Sequence, residues 1–502
     1  VVDMEDLDPE EFAKHKAVVI VVATYGEGDP TDNALEFFKW IKDESLPSDT
    51  LQGMKYTVMG LGNRQYVNFN SCSKVADARM KSLGATCIHE RGEGDDDQNI
   101  EEDFEQWKGN GLWPALRAAL GLGESKGDGA GDAAGLDTAE VAMSRLPLCA
   151  EILGSGKAPS VDPMVQVGGA DVLGKWYFNS VLAPVVMCEE LRQAPDPAAG
   201  KTTKHIELDV KSFPSLEWRT ADNLEVLPEN PDDVVQWFAE RLGAQDQLDD
   251  RVSFTRAAGV TKVVKKPFPT PCTVRTALSL YCDLCSAPSK GAAKRLAAFA
   301  ESAEERAVLE RLLQDRDVYQ WLTGEAARIS LREFFELFLQ SAKIDLGSFL
   351  QLCPRQKSRP YTISSSSRED PHRVGICVSM VREDLPCLPE VLQGLADRGH
   401  AVARAPEGGQ RCFRGVCSTA LCTRTAVGDR LWIASRPSSF RLPRRSTTPI
   451  LMLGAGTGVA PLRAFTREFR AERGVRETTL LFFGCTRRDE DFVYREELEE
   501  AL

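Results

Sequence analysis

Histidine is scarce in this 502-residue chain, which has only five. With no triad-like grouping of nucleophile, base and acid either, the sequence does not point to acid–base hydrolysis. No apolar run approaches the ~18–20 residues a helix needs to span a bilayer, and no basic-then-apolar leader opens the chain. The fourteen cysteines are scattered, without paired C-x-x-C sets, so they read as reduced thiols in a reducing compartment, and a structural zinc site is not expected. Positive charge is also short: 61 Lys and Arg against 75 Asp and Glu leave a formal charge of -14. That excess argues against nucleic acid or an anionic membrane as the main partner and favours a basic protein. What remains is a globular composition, 42% apolar, in a chain too long for one core of roughly 100–200 residues. Two to four domains are expected.

From Ala17 to about Ala119 apolar strands alternate with amphipathic helices. "AVVIVVA" precedes a helix with Ala34, Phe37, Phe38 and Ile41 at i, i+3, i+4, i+7 spacing. "YTVMGLG", a helix near Asn70–Leu83, the strand "ATCIHE" and a helix from about Ile100 follow. This order predicts a doubly wound parallel sheet, whose ligands sit beyond the carboxyl ends of the strands. "ATYGEGDPTDNA" and "LGNRQYVNFN" therefore share one ligand edge. The first loop has an aromatic ring, two glycines and several acids but no Lys or Arg, which suits a flat ring system better than a phosphate. Tyr25 alone could simply cap the sheet. With Tyr66 and Phe69 on the neighbouring loop it forms a flavin clamp, and Gly26, Gly60 and Gly62 let the backbone approach the ring.

Gly121 to about Ala170 is rich in Gly, Ala, Ser and Asp and reads as a flexible linker that permits domain motion. Beyond it, "KHIELDV", "NLEVLP", "RPYTISSSS", "VGICVSMV" and "DRLWIA" predict an antiparallel barrel, interrupted by a mainly helical insertion over about 231–350. "TPILMLGAGTGVAPLRAF" with "ETTLLFFGC" is a further strand, glycine turn and helix unit. In "SRPYTISSSS", Arg359 can pair with a pyrophosphate, Tyr361 can stack on an isoalloxazine, and the Thr362 hydroxyl can hydrogen-bond where hydride arrives.

These motifs resemble the diflavin reductases, the family of NADPH–cytochrome P-450 reductase. The resemblance implies three parts: a flavodoxin-like FMN domain over 1–120, an FAD-binding barrel over 171–445 and a Rossmann-like NADP-binding domain over 446–502. It assigns FMN contacts to Ala23, Thr24, Tyr25, Gly26, Leu61, Gly62, Asn63, Arg64, Gln65, Tyr66, Val67, Asn68, Phe69, Asn70 and Asp96. FAD contacts fall on Arg359, Tyr361, Thr362, Cys377, Val378, Ser379, Gly415, Val416, Cys417 and Ser418, and NADPH contacts on Gly456 and Thr457, with Cys485 and Arg487 close by. Most relatives carry Ser at the Thr362 position, and many place an aromatic where this chain has Glu383.

The implied activity is electron transfer from NADPH through FAD and FMN to a haem protein, cytochrome c serving as a surrogate, with Thr362 as the catalytic hydroxyl. The acids Asp95, Asp97, Glu101, Glu102 and Asp103 would form the docking face. By the same resemblance the full-length parent sits on the cytoplasmic face of the endoplasmic reticulum membrane. Both ends of this chain are expected to be cut: the first strand, the FMN phosphate loop, any membrane anchor and the end of the NADP domain would lie outside it. A diflavin enzyme with another acceptor (sulfite, methionine synthase or iron–sulfur assembly) and a non-catalytic binding protein are the alternatives.

Overall fold

The computed structural model describes residues 2–4, 7–25, 28–62, 64, 68–95, 100–121, 143, 146–154, 180–260, 264, 266–402, 409–438, 440–443, 448–471 and 479–500. The chain divides into two compact units, Val1–Gly135 and Leu136–Leu502.

In the first unit, β1 (Ala17–Tyr25) and β2 (Lys55–Gly62) pair in parallel from Ala17–Lys55 to Ala23–Leu61. Helices α1 (Leu35–Ile41) and α2 (Ser71–Ser82) cover one face. The predicted periodic residues Ala34, Phe37, Phe38 and Ile41 are all buried there with Ile20, Val22, Tyr56 and Val58. The predicted strand "ATCIHE" is shorter than expected. Only β3 (Thr86–Cys87) pairs with the start of β2, and the sheet resumes at β4 (Gly92–Asp95), which pairs with its end. In between, the Thr57 hydroxyl donates to His89 O at 2.9 Å, a side-chain bond standing where a ladder bond would be. Glycines in β4 admit the opposite layer: a Cβ on Gly92 would lie 2.8 Å from Trp107, and one on Gly94 2.7 Å from Ile100 of α3 (Ile100–Gln106). Helix α4 (Trp113–Leu120) ends the described part of this unit. On the far face of β1, Val19 and Val21 are exposed.

The second unit contains every strand expected of the antiparallel region. Its six-stranded sheet is built from β6 (Val181–Glu190), β7 (Thr203–Asp209), β8 (Asn223–Val226), β11 (Arg359–Thr362), β12 (Arg373–Ser379) and β15 (Arg430–Arg436). The order across it is β11-β8-β15-β6-β7-β12. The expected barrel is not closed. The two edge strands form no ladder with each other; past the end of β11 the chain meets β12 at the Ile363–Ile376 bridge, through Ser364 N to Gly375 O at 2.8 Å and through the Ser365 hydroxyl, which accepts from Gly375 N at 2.9 Å. Ile363 N is turned instead to Asp222 O, so the ladder cannot run on.

One further expectation is corrected: the linker range 121–170 contains β5 (Leu148–Ile152). The insertion, expected to be mainly helical, also carries short strands. β5 pairs with β9 (Arg251–Arg256), which also pairs with β10 (Cys272–Thr273), forming a three-stranded sheet. These strands carry little signal in the sequence because they are short and lie in stretches of weak periodicity; only Val252 and Phe254 of β9 show the alternate burial of a strand. The rest of the linker expectation falls largely outside the described residues. The insertion's helices are α5 (Asp232–Arg241), α6 (Lys290–Ala297), α7 (Ala303–Gln314), α8 (Arg316–Thr323), α9 (Leu331–Phe338) and α10 (Leu346–Leu352), and they share one large core with the small sheet. β13 (Arg382–Leu385) and β14 (Arg411–Arg414) form a hairpin-like pair flanking α11 (Leu388–Asp397), and α12 (Val416–Thr419) follows directly. The chain ends in β16 (Ile450–Ala455), α13 (Ala460–Ala471), β17 (Thr479–Gly484) and α14 (Arg495–Glu500), with β16 and β17 parallel. No helix among the described residues is long and apolar enough to cross a membrane.

Candidate flavin and nucleotide sites

Because β1, β2 and β4 are parallel, their carboxyl ends come together by topology alone. Ala23, Thr24 and Tyr25 end β1, Leu61 and Gly62 end β2, and Asn68, Phe69 and Asn70 lead into α2. Tyr25 is 41% exposed, as a stacking platform must be. The Thr24 hydroxyl accepts from Cys72 N at 3.1 Å, pinning the end of β1 to the first turn of α2. Asn70 is fully buried with φ 54, a left-handed conformation that Asn tolerates. Its Nδ2 donates to Gly94 O at 3.3 Å, while its Oδ1 is buried with no hydrogen-bond partner. A Cβ on Gly60 or Gly62 would lie 2.7 or 3.0 Å from that oxygen. An orphaned acceptor beside glycines that bring the backbone close fits a planar ring offering N–H groups, such as a flavin. Gly26, Asn63, Gln65, Tyr66, Val67 and Asp96 lie outside the described residues.

Sequence reasoning missed the electrostatic centre of this edge. Asp95 closes β4 with its side chain only 5% exposed, and it accepts from Arg64 N at 2.9 Å and from Arg64 Nε at 3.1 Å. The guanidinium so held lies 4.9 Å above the Phe69 ring. Asp95 is therefore not part of an exposed acidic face, which corrects the expectation. Its own N–H donates to Asp103 Oδ2 at 2.9 Å, so Asp103 also serves the loop internally. Asp97 and the side chains of Glu101 and Glu102 lie outside the described residues. The signal that could have revealed the clamp was the lone arginine opposite an acid at the next strand end, but only strand register makes them neighbours.

In the second unit, Tyr361 on β11 packs against the sheet core beside Cys417 of α12. Burial and the neighbouring thiol push its phenol up, and burial pushes the Cys417 thiol up to about 11 although Tyr361 works the other way. The Thr362 hydroxyl donates to Asn223 Oδ1 at 3.3 Å across the β8–β11 pair. Arg359, half-buried, keeps its guanidinium on the Lys357 carbonyl at 2.6 Å. Gly415 precedes α12 at a crowded point, where a Cβ would lie 2.6 Å from Ser418 Oγ, and that hydroxyl accepts from Val381 N at 3.1 Å. Val416 opens the helix, and Thr419 Oγ1 at its end is buried with no partner, an unmet polar group that suits a dinucleotide rich in hydroxyls and phosphates.

The structure thus brings Tyr361 and Cys417 together, with Val378 in the same core, but turns Cys377 away. That thiol packs with Met452, Val459 and Tyr494, and burial pushes it up to about 11 against the lowering effect of Tyr494. Ser379 is tied to Thr203 through their hydroxyls, 2.7 Å apart. Glu383, the position singled out in the sequence, pairs with Phe413 in the β13–β14 register and with Arg328 at 2.7 Å, and Arg328 stacks 4.2 Å over Phe413.

The glycine turn Gly456–Val459 joins β16 to α13. Gly456 has φ 52, and a Cβ on Gly454 would lie 2.7 Å from Leu462 of α13, so glycine there lets helix and strand approach closely. Thr457 is half-buried in the turn. The Ala455–Gly484 pairing brings the start of the turn alongside the end of β17, which Cys485 follows, so both reach the same edge. Arg487 is exposed and paired with Glu490 at 2.8 Å.

Comparison with known proteins agrees with this division. The flavodoxin family matches residues 1–107, the FAD binding domain family 178–387 and the oxidoreductase NAD-binding domain family 452–502. The chain is 32% identical to the NADPH–cytochrome P-450 reductase of Musca domestica, over all of this chain and 70% of that protein. Against the reductase of Cavia porcellus it is 32% identical over 99% of this chain and 68% of the relative, and against that of Dictyostelium discoideum 31% over 100% and 70%. Similarity of this extent, with three cofactor domains in one order, establishes that the chain belongs to the NADPH–cytochrome P-450 reductase family of FMN-, FAD- and NADP-binding oxidoreductases.

Proposed function

We propose that the chain takes reducing equivalents from NADPH at the Gly456–Val459 turn and delivers them to a cytochrome P-450 at the β1–β2 edge of the first unit. When bound, NADPH would supply two electrons as hydride, and the flavins would take them up together and release them singly, as haem iron requires. The protein's own residues hold and orient. Tyr25, Tyr66 and Phe69 stack about the FMN ring, and Arg64, fixed by Asp95, keeps the loop of Phe69 in place. Tyr361 and the Gly415–Ser418 turn hold FAD, with Arg359 for its pyrophosphate. The Thr362 hydroxyl, kept in place by Asn223, offers a hydrogen bond at the flavin edge that faces the nicotinamide. The observation that carries this reading is the full-length likeness to the reductases combined with glycine or aromatic loops at the strand ends of both sheets where the cofactors belong.

The acceptor docks, in this proposal, on Asp97, Glu101 and Glu102, because an acidic field beside a flavin edge steers a basic haem protein. In this proposal the protein works at the cytoplasmic face of the endoplasmic reticulum, beside its acceptors. Released-flavin chromatography of the purified chain should give FMN and FAD one to one. Neutralising Asp97, Glu101 and Glu102 should slow cytochrome c reduction and flatten its salt dependence while NADPH–ferricyanide turnover persists. An unchanged cytochrome rate would refute the docking face, and absence of both flavins would refute the diflavin reading.

A further inference from the structure

The helical part of the second unit holds a thiol cluster that neither flavin nor nucleotide binding uses. Tyr281–Asp283 and Pro354–Gln356 run antiparallel: Cys282 bridges Arg355, Asp283 N donates to Pro354 O at 2.8 Å, and Gln356 N donates to Tyr281 O at 3.0 Å. This register sets Cys282 and Cys353 diagonally across the pair. Cys353 Sγ donates to Asp283 O, the carbonyl next to Cys282, at 3.9 Å. Both are buried in the unit's largest core. Cys285 completes a single C-x-x-C with Cys282, but its sulfur turns to Asn230 Oδ1 at 3.6 Å. No three His, Cys, Asp or Glu side chains among the described residues are placed to hold a metal ion, so the chemistry open to the cluster is that of thiols.

Arg355 reaches over the same spot. Its Nε and Nη2 donate to the carbonyls of Cys353 and Leu350, at 3.0 and 2.8 Å, leaving Nη1 buried with no partner. No carboxylate pairs with it among the described residues; Asp283, the nearby acid, accepts instead from the N–H groups of Cys285 and Ser286. A part-buried guanidinium is stabilised by an anion, and the Cys282 sulfur can provide one. Burial drives both thiols up. At Cys282 the neighbouring Cys353 thiol and the Arg355 charge hold the thiol below its ordinary value, whereas Cys353 rises above it. A cysteine bridged to an arginine with a spare N–H, with a second thiol diagonal to it, is the arrangement for nucleophilic attack followed by resolution.

We propose that Cys282 and Cys353 form an oxidation site in which hydrogen peroxide closes a disulfide across the Tyr281–Asp283 and Pro354–Gln356 pair. The Cys282 thiolate attacks one peroxide oxygen and breaks the O–O bond, giving a sulfenic acid and hydroxide, which takes up a proton as water. Cys353 then attacks that sulfur, and its proton leaves with the displaced hydroxide as a second water. The peroxide gains two electrons and each sulfur loses one. The new bond ties the end of α10 to the segment after Tyr281, a few residues before β11 begins, so it constrains the approach to Arg359, Tyr361 and Thr362.

The test is peptide mapping of the full chain after peroxide treatment and thiol blocking. The expected product is a Cys282–Cys353 linked pair, lighter by two hydrogen atoms and restored by dithiothreitol, while exposed Cys149 climbs to sulfinic acid for lack of a resolving partner. Cys353→Ser should leave Cys282 trapped as a sulfenic acid, and Arg355→Gln should slow closure roughly tenfold by withdrawing the thiolate's counter-charge. The proposal is overturned if both cysteines stay reduced once Cys149 is consumed, or if Cys282 links to Cys285 instead. The map of the unaltered chain decides this alone, so a variant that does not fold leaves the test standing.

Discussion

The two flavin-side regions reach the same end by opposite means. At the edge of the first unit, the candidate groups sit at strand ends and on the loop beyond: Tyr25, the last residue of β1, is 41% exposed, and Arg64 is 63% exposed while its partner Asp95, the last of β4, is buried. In the second unit the corresponding groups lie on the sheet itself, Tyr361 packed beside Cys417 and Thr362 bonded to Asn223 on the neighbouring strand. Parallel strands deliver their carboxyl ends to one edge, so a binding site there is a matter of loop content. Antiparallel strands end on both edges, so a site on them depends on which residues the register sets side by side. The first site is therefore robust to its sheet and sensitive to its loops; the second is the reverse.

The largest test of this contrast is Thr362→Val, which keeps shape and removes the hydroxyl. NADPH–ferricyanide turnover should fall about 100-fold with FAD still stoichiometric, as expected for one lost hydrogen-bonding group at the reacting edge. Loss of FAD in proportion to activity would make Thr362 a structural residue only. Next is Asp95→Ala, which strips Arg64 of its anchor and leaves a buried N–H unmet. It should lower the stability of the first unit by ~2 kcal/mol in calorimetry and release FMN, with the second unit's transition unmoved. A variant that kept FMN would show that the loop holds without its clamp.

Smaller is Tyr25→Ala. Removing one stacking face should weaken FMN affinity roughly tenfold and leave FAD content unchanged, measured by flavin release on dilution. Equal loss of both flavins would erase the distinction between the two regions. The least effect on the flavins is expected from Glu333→Gln, in the helical part of the second unit. Burial opposes the charge of Glu333, but the Arg411 guanidinium and the capping bonds of Ser330 outweigh it and hold the carboxyl below its usual range. A carboxyl depressed in the folded state stabilises above its unfolded value and loses that contribution as pH falls through the folded one. Acid titration should therefore show wild-type stability declining below about pH 4.5, with a shallower slope for Glu333→Gln across that window. Identical slopes would remove Glu333 from the pH response.

Much of the first unit was legible because each of its features is local. A buried run of valines followed by a glycine loop marks a strand end, and four apolar residues at helical spacing mark the covering face, as the burial of Ala34, Phe37, Phe38 and Ile41 bears out. The glycine turn before α13 was readable for the same reason. β5 and β9 were not: five or six residues without strong alternation carry little information, and their pairing, with β10 on the other side of β9, is what makes them strands. Cys377 sits in the expected motif, yet its side chain alternates to the face that packs on Met452 and Tyr494.

Sequence by itself determined the order of the domains, the strand ends that carry the cofactor loops and the acidity of the chain, since composition, period and glycine placement are properties of neighbours along the backbone. Only the tertiary structure decided that Arg64 serves Asp95, 31 residues away, that Thr362 leans on Asn223, 139 residues away, and that Cys282 meets Cys353 beside Arg355. Those pairings depend on register between distant segments, and register is set by the packing of the whole core rather than by any short stretch of chain.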